Sequence, residues 1–200
     1  MAHIYLSGNN NDIKIGNFIG DYVKGKKYLN YRTLIQKGII LHRNIDEYTD
    51  KSEVPKTIKN LLKPHYRRYS GIVADVFYDH FLTKNWGYFS SIPIESFIHN
   101  FYELLRKEFS ILPEPVQNFV PRMIYHNRLL SYRETEGLYQ SLKVMSKTTS
   151  LPDKTEKAME VLMNNYKIIN DNFLNFFPLL INYVKEIHSI DIQYTPSSQV

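Results

Sequence analysis

The stretch Ile72-Val73-Ala74-Asp75-Val76-Phe77-Tyr78-Asp79-His80-Phe81-Leu82 decides the fold class. Ile72, Val73, Val76, Phe77 and Phe81 recur at three- and four-residue intervals, the period of one helix face. The spacing predicts a helix from about Tyr66 to Lys84. Upstream, Asn11-Asp12 can cap a helix carrying Ile15, Phe18, Ile19 and Tyr22, with Gly25 suited to its stop. A second helix is expected from about Tyr31 to Tyr48 on Ile35, Ile39 and Ile45, with Leu41 at its flank. A short third begins at Ser52 and ends at Pro64. Downstream, helices are expected over Glu95 to Ser110, Val116 to Tyr132 around Pro121, and Glu134 to Lys147. Asp153 then caps one long pattern to Ile187, with a kink at Pro178. No strand-like alternation exceeds four or five residues, and there is no internal repeat. The expectation is an all-α, single multi-helix bundle over residues 1–188, followed by a flexible tail over 189–200.

Composition narrows the function. The 200 residues include no cysteine, which removes disulfide scaffolds, zinc-thiolate sites, iron–sulfur ligation and cysteine nucleophiles. A reducing cytoplasm permits such a chain. No signal peptide is expected at Met1-Ala2-His3-Ile4, and no apolar run reaches the ~20 residues of a membrane span. The formal net charge is +5, unevenly distributed. From Tyr22 to Ile72 twelve Lys/Arg face four Asp/Glu, a local +8, which suits an acidic partner. The glycines form no phosphate-binding loop, and no GxSxG elbow is present. The sixteen tyrosines and eleven phenylalanines fall mostly at core spacing, so nucleic acid is not the expected partner.

Three helices each offer polar groups from an apolar setting. His42, Asp46 and Asp50 lie at i, i+4 and i+8, an imidazole and two carboxylates in one row. Asp75 and Asp79 are again four apart, with His80 next in line, among residues whose burial would make an uncompensated carboxylate costly. A salt bridge to Arg43 or Arg68 is the structural alternative. Asn17 and Asp21 repeat the spacing on the first helix. Inward-projecting ligands on facing helices are how bundles hold metals, and oxygen and nitrogen donors without sulfur lean to Mn²⁺ or Mg²⁺, with Fe²⁺ also compatible. His65 follows Pro64 at a helix start and His99 lies in an amphipathic helix with Phe97 and Phe101; these two, with His126 and His188, read as structural or surface residues.

The blocks Gly16-Asn17-Phe18-Ile19-Gly20-Asp21-Tyr22-Val23-Lys24-Gly25, His42-Arg43-Asn44-Ile45-Asp46 with Thr49-Asp50, and Asp75 with Tyr78-Asp79-His80-Phe81-Leu82 resemble the acyl carrier protein phosphodiesterase family. Ala2-His3-Ile4-Tyr5-Leu6 is similar to its N-terminal block, and Tyr132-Arg133 to a later one. The resemblance implies an HD-like metal phosphohydrolase architecture and Mn²⁺-dependent hydrolysis of the bond between 4′-phosphopantetheine and a carrier-protein serine. The partner would be the acidic acyl carrier protein. The sequence departs from a simple His-Asp dipeptide, having Asp79-His80 in reversed order. Set against this chemistry, Asp21, His42, Asp46, Asp79 and His3 are the candidate metal ligands. His80, Arg43 and Asp50 are the candidate catalytic residues. Lys24, Lys27, Arg67 and Arg68 would contact the carrier protein. Two rival readings are a hydrolase of nucleotides or other small phosphoesters, and a metal-free helical module that binds an acidic partner.

Overall fold

A computed structural model describes residues 1–192 and 194. The elements, in order, are α1 (Ala2–Tyr5), α2 (Asn11–Ile19), α3 (Thr33–Lys51), α4 (Glu53–Tyr66), α5 (Ser70–Lys84), α6 (Trp86–Phe89), α7 (Ile94–Lys107), α8 (Glu114–Tyr125), α9 (Arg128–Ser131), α10 (Thr135–Thr148), α11 (Thr155–Asn164) and α12 (Tyr166–His188). Short 3-10 turns join several of them, and the described residues contain no strand. The bundle is all-α, as the apolar period requires. No described helix is long and apolar enough to cross a membrane.

The core is aromatic. Phe77 and Phe81 of α5 and Phe173, Phe176 and Phe177 of α12 are all buried, with Phe89 of α6 between them. Phe173 and Phe177 stack at 5.1 Å, and Phe89 meets Phe177 edge-on at the same separation. Each such ring contributes roughly 1.5–3 kcal/mol by leaving water. α2 and α3 pack backbone against backbone. A Cβ on Gly16 would lie 2.1 Å from the Ile35 carbonyl oxygen, and one on Gly38 would lie 2.3 Å from that of Ile13. Only glycine at both positions lets the helices approach this closely.

Several boundaries differ from the periodicity. The cap of α2 is Asn10, whose Oδ1 accepts from the Ile13 N–H at 3.1 Å. The helix closes at Ile19, and Gly25 instead adopts a left-handed φ of 57° before a 3-10 helix over Gly25–Asn30. The expected helix from Val116 to Tyr132 is divided because Asn127 turns through φ 44°, ψ 49°, a conformation asparagine tolerates. The expected single helix after Asp153 is also two. Asn165 breaks it, its side chain donating to the Val161 carbonyl at 2.9 Å, and Asp153 pairs with Lys143 rather than capping. Pro178 lies within α12, which continues unbroken. The expected tail is packed where it is described: Ile190 and Ile192 are buried, and Tyr194 meets the Phe89 ring at 5.6 Å. Residues 193 and 195–200 of that tail lie outside the described residues.

Candidate metal centre

His3 arrives on α1, Asn17 on α2, Asp21 on the 3-10 turn Gly20–Tyr22, and His42 and Asp46 one turn apart on α3. The close α2–α3 crossing draws these elements together. Gly20 then makes room for the imidazole of His42: a Cβ there would stand 2.3 Å from the ring. The His3 and His42 rings stack at 4.3 Å. Both direct Nε2 at one carboxylate, His3 to Asp46 Oδ1 at 3.3 Å and His42 to Asp46 Oδ2 at 3.2 Å. Asp21 Oδ1 is 3.5 Å from the same His42 atom.

One ligand atom each from His3, His42 and Asp46 lies within 4.8 Å of the others. The set is two nitrogens and an oxygen, without sulfur, and suits a divalent cation. His42 Nε2 is buried and within ion-pair range of two carboxylates, yet aligned with neither as a hydrogen bond. Such an atom lacks the partner that burial normally demands, and a cation between the groups would supply it. The imidazoles form the inner wall, while Asp46 and Asp21 are 48% and 72% exposed, so the centre opens to solvent on its carboxylate side. The electrostatics match. Burial alone would depress the His42 pKa, but Asp21 and Asp46 more than offset it and raise it to about 9. Burial would raise the Asp46 carboxyl, yet His3 and His42 hold it well below the usual carboxylate range. His42 also lowers the Asp21 carboxyl.

The other residues singled out in the sequence lie elsewhere. Asp79 is outside the cluster, because its two oxygens accept from the Met1 ammonium at 2.7 Å and the Ala2 N–H at 2.9 Å. His80 is fully buried and both its nitrogens are engaged, Nδ1 with the Tyr132 carbonyl at 2.7 Å and Nε2 with the Tyr166 hydroxyl at 2.8 Å. That leaves it no nitrogen for a metal or a reacting proton, and it reads as a core histidine. Arg43 donates to the carbonyls of Val23 and Gly25 at 2.7 and 2.9 Å and lies over the Tyr28 ring. It braces the basic loop instead of pairing with a carboxylate. Asp50 pairs with Lys59 at 2.6 Å. Lys24 and Lys27 are exposed on the loop that follows Asp21. Arg67 and Arg68 lie at the opposite end of α4 from its joint with α3, and α4 is 14 residues, roughly 21 Å, long.

Two residues that the sequence marked only by their spacing stand out. Asn17 is completely buried and touches both histidines: Oδ1 meets His3 Nδ1 at 2.8 Å and its backbone carbonyl meets His42 Nδ1 at 2.8 Å. A carboxamide within the apolar run of Ile15, Phe18 and Ile19 was the available signal, since a buried amide requires partners. The second is Asp75. It is exposed at its surface yet crowded by protein, and has no ion-pair or hydrogen-bond partner among the described residues. That crowding, with Asp46, Asp79 and Asp50 nearby and Lys59 only partly compensating, raises its carboxyl to about 8.

A two-histidine wall, His42 buried and His3 partly so, with a solvent-facing carboxylate, in a helical bundle, defines a candidate metallohydrolase centre. The sequence profile described as acyl carrier protein phosphodiesterase matches residues 1–180. The chain belongs to that family. Relatives carrying the same description include one from Enterobacter sp. (strain 638), 28% identical over 92% of this chain and 96% of the relative. Another, from Klebsiella pneumoniae subsp. pneumoniae, is 28% identical over 90% and 94%, and one from Photorhabdus laumondii subsp. laumondii is 24% identical over 90% and 92%. No solved structure matches the chain.

Proposed function

We propose that this chain hydrolyses the phosphodiester joining 4′-phosphopantetheine to a serine of holo-acyl carrier protein, using a divalent cation held by His3, His42 and Asp46. The observation that carries the reading is the convergence of both Nε2 atoms on the Asp46 carboxylate, in a chain of this family. Mn²⁺ is the first choice, with Mg²⁺ and Fe²⁺ next, for a set that mixes imidazole and carboxylate. When bound, the cation supplies Lewis-acid stabilisation of phosphoryl oxygens and lowers the pKa of water. Asp21, 3.5 Å from His42 Nε2, would complete the ligand set or hold the attacking water. In the overall reaction water adds to phosphorus, the bond to the serine oxygen breaks, and that oxygen takes a proton.

The substrate surface begins beside Asp21. Exposed Tyr22, Leu29 and the lysines at 24, 26 and 27 form a mixed apolar and basic rim that Arg43 holds in place. Charge of this sign steers an acidic protein and fixes its register. We assign the rim to carrier-protein contact, and a cytoplasmic setting follows from that substrate. Arg67 and Arg68, in the 3-10 turn after α4, are a separate basic pair for which we propose a lesser share of that contact.

The test is a mass assay of holo-acyl carrier protein incubated with this protein and Mn²⁺, beside a chelator control. Metal-dependent loss of the phosphopantetheine mass supports the reading. Hydrolysis of small phosphodiesters with the carrier protein left intact would replace it with a small-phosphoester activity on the same centre.

A further inference from the structure

We infer that Asn17 is a positioning residue that fixes the tautomers of both His3 and His42, so that their two Nε2 atoms face one point. The inference deepens the metal-site reading above and rests on it.

The hydrogen-bond inventory determines the arrangement. Ser7 Oγ donates its one proton to the His3 carbonyl at 2.7 Å. Asn17 Nδ2 has two protons, and two acceptors face it: the His3 carbonyl at 2.7 Å and Ser7 Oγ at 3.0 Å. The amide can therefore be oriented only one way, with Oδ1 toward His3 Nδ1 at 2.8 Å. An amide oxygen only accepts, so His3 must carry a proton on Nδ1. The backbone carbonyl of the same residue imposes the same state on His42 at 2.8 Å. In each neutral ring the lone pair is then on Nε2, the atom directed at Asp46. One fully buried residue thus sets both imidazoles, and its side chain also ties the short α1 segment to α2. Partners of this kind orient metal-binding histidines and raise their basicity.

Side-chain ¹H–¹⁵N correlation spectra of the full chain test this, recorded with diamagnetic Zn²⁺ at neutral pH and metal-free at about pH 10, where imidazoles are neutral. Both histidines are expected to carry the proton on Nδ1 in both states. Asn17→Leu should release that proton from His3, leave His42 on the backbone carbonyl, and weaken Zn²⁺ binding roughly 10- to 100-fold. A purely structural role would not move the His3 tautomer. A wild-type His3 protonated on Nε2, or an Asn17→Leu spectrum with His3 unchanged, would overturn the inference. If Asn17→Leu does not fold, the wild-type spectra decide. Failure of Zn²⁺ and Mn²⁺ to bind the wild-type chain would overturn the metal reading, and the metal-free spectra would still decide the role of Asn17.

Discussion

Gly20 lies directly against the His42 imidazole, so closely that a Cβ would come 2.3 Å from Cγ and 2.6 Å from Cδ2. The relationship links a backbone position outside the ligand set to the orientation of a ligand. Gly20→Ala should push the ring off Asp46 and weaken divalent-metal binding by an order of magnitude or more, about the scale of losing a ligand's supporting contact. Calorimetric titration with Mn²⁺ checks it. Unchanged affinity would mean that the ring relocates freely.

The α2–α3 crossing should fail differently. Gly16→Ala places a methyl 2.1 Å from a backbone oxygen, Ile35 O, which no side-chain rotation can relieve. The helices must separate, at about 1–3 kcal/mol or more. Thermal unfolding should show a clear loss of Tm. A variant as stable as the wild type would contradict the packing described here.

Asp46 is the group both histidines share. Asp46→Asn keeps the shape and removes the charge, so it should abolish metal retention and cut turnover by roughly a thousandfold or more, while the fold persists. Metal content and circular dichroism read the two parts separately. By contrast His80→Gln should act mainly on stability, because His80 joins Tyr132 to Tyr166.

The pH dependence of the metal-free protein follows from His42. Its folded pKa of about 9 is above the unfolded value of about 6.5. The stabilisation is therefore complete below about pH 6.5 and is lost as pH rises through about 9. Its size is on the order of 2–3 kcal/mol, with the His42–Asp46 pair counted once. Metal binding has the opposite trend, strengthening over the same window as the competing proton leaves. Denaturant titrations at pH values across the window check this, and Asp46→Asn should flatten the slope.

Charge reversal separates the basic surfaces. Lys24→Glu and Lys27→Glu, on the rim beside Asp21, should raise KM for holo-acyl carrier protein roughly 3- to 10-fold at low salt and less at high salt. Arg67→Glu, across α4, should have a smaller effect. Equal effects would argue against the rim as the contact surface.

The helical class was legible from the spacing of Val73, Val76, Phe77 and Phe81, because burying one face of a helix imposes a 3.6-residue period on the chain itself. His42 and Asp46 were legible for the same reason: four residues along one helix place two side chains together whatever surrounds them. Sequence alone also determined the charge imbalance between Tyr22 and Ile72 and the absence of thiol chemistry. What it left undecided were relationships between elements. Asp75 and Asp79 repeat the four-residue spacing of His42 and Asp46, with His80 next in line, but the packing of α5 turns Asp79 to the N-terminal ammonium and His80 into the core. Asn17 and Gly20 matter only because the α2–α3 crossing brings them against His3 and His42, 14 and 22 positions away. Periodicity specifies which face of a helix is buried. Which neighbour covers that face, and how closely, is set by side-chain volume and hydrogen-bond satisfaction across the packed interface, and that was decided by the tertiary structure.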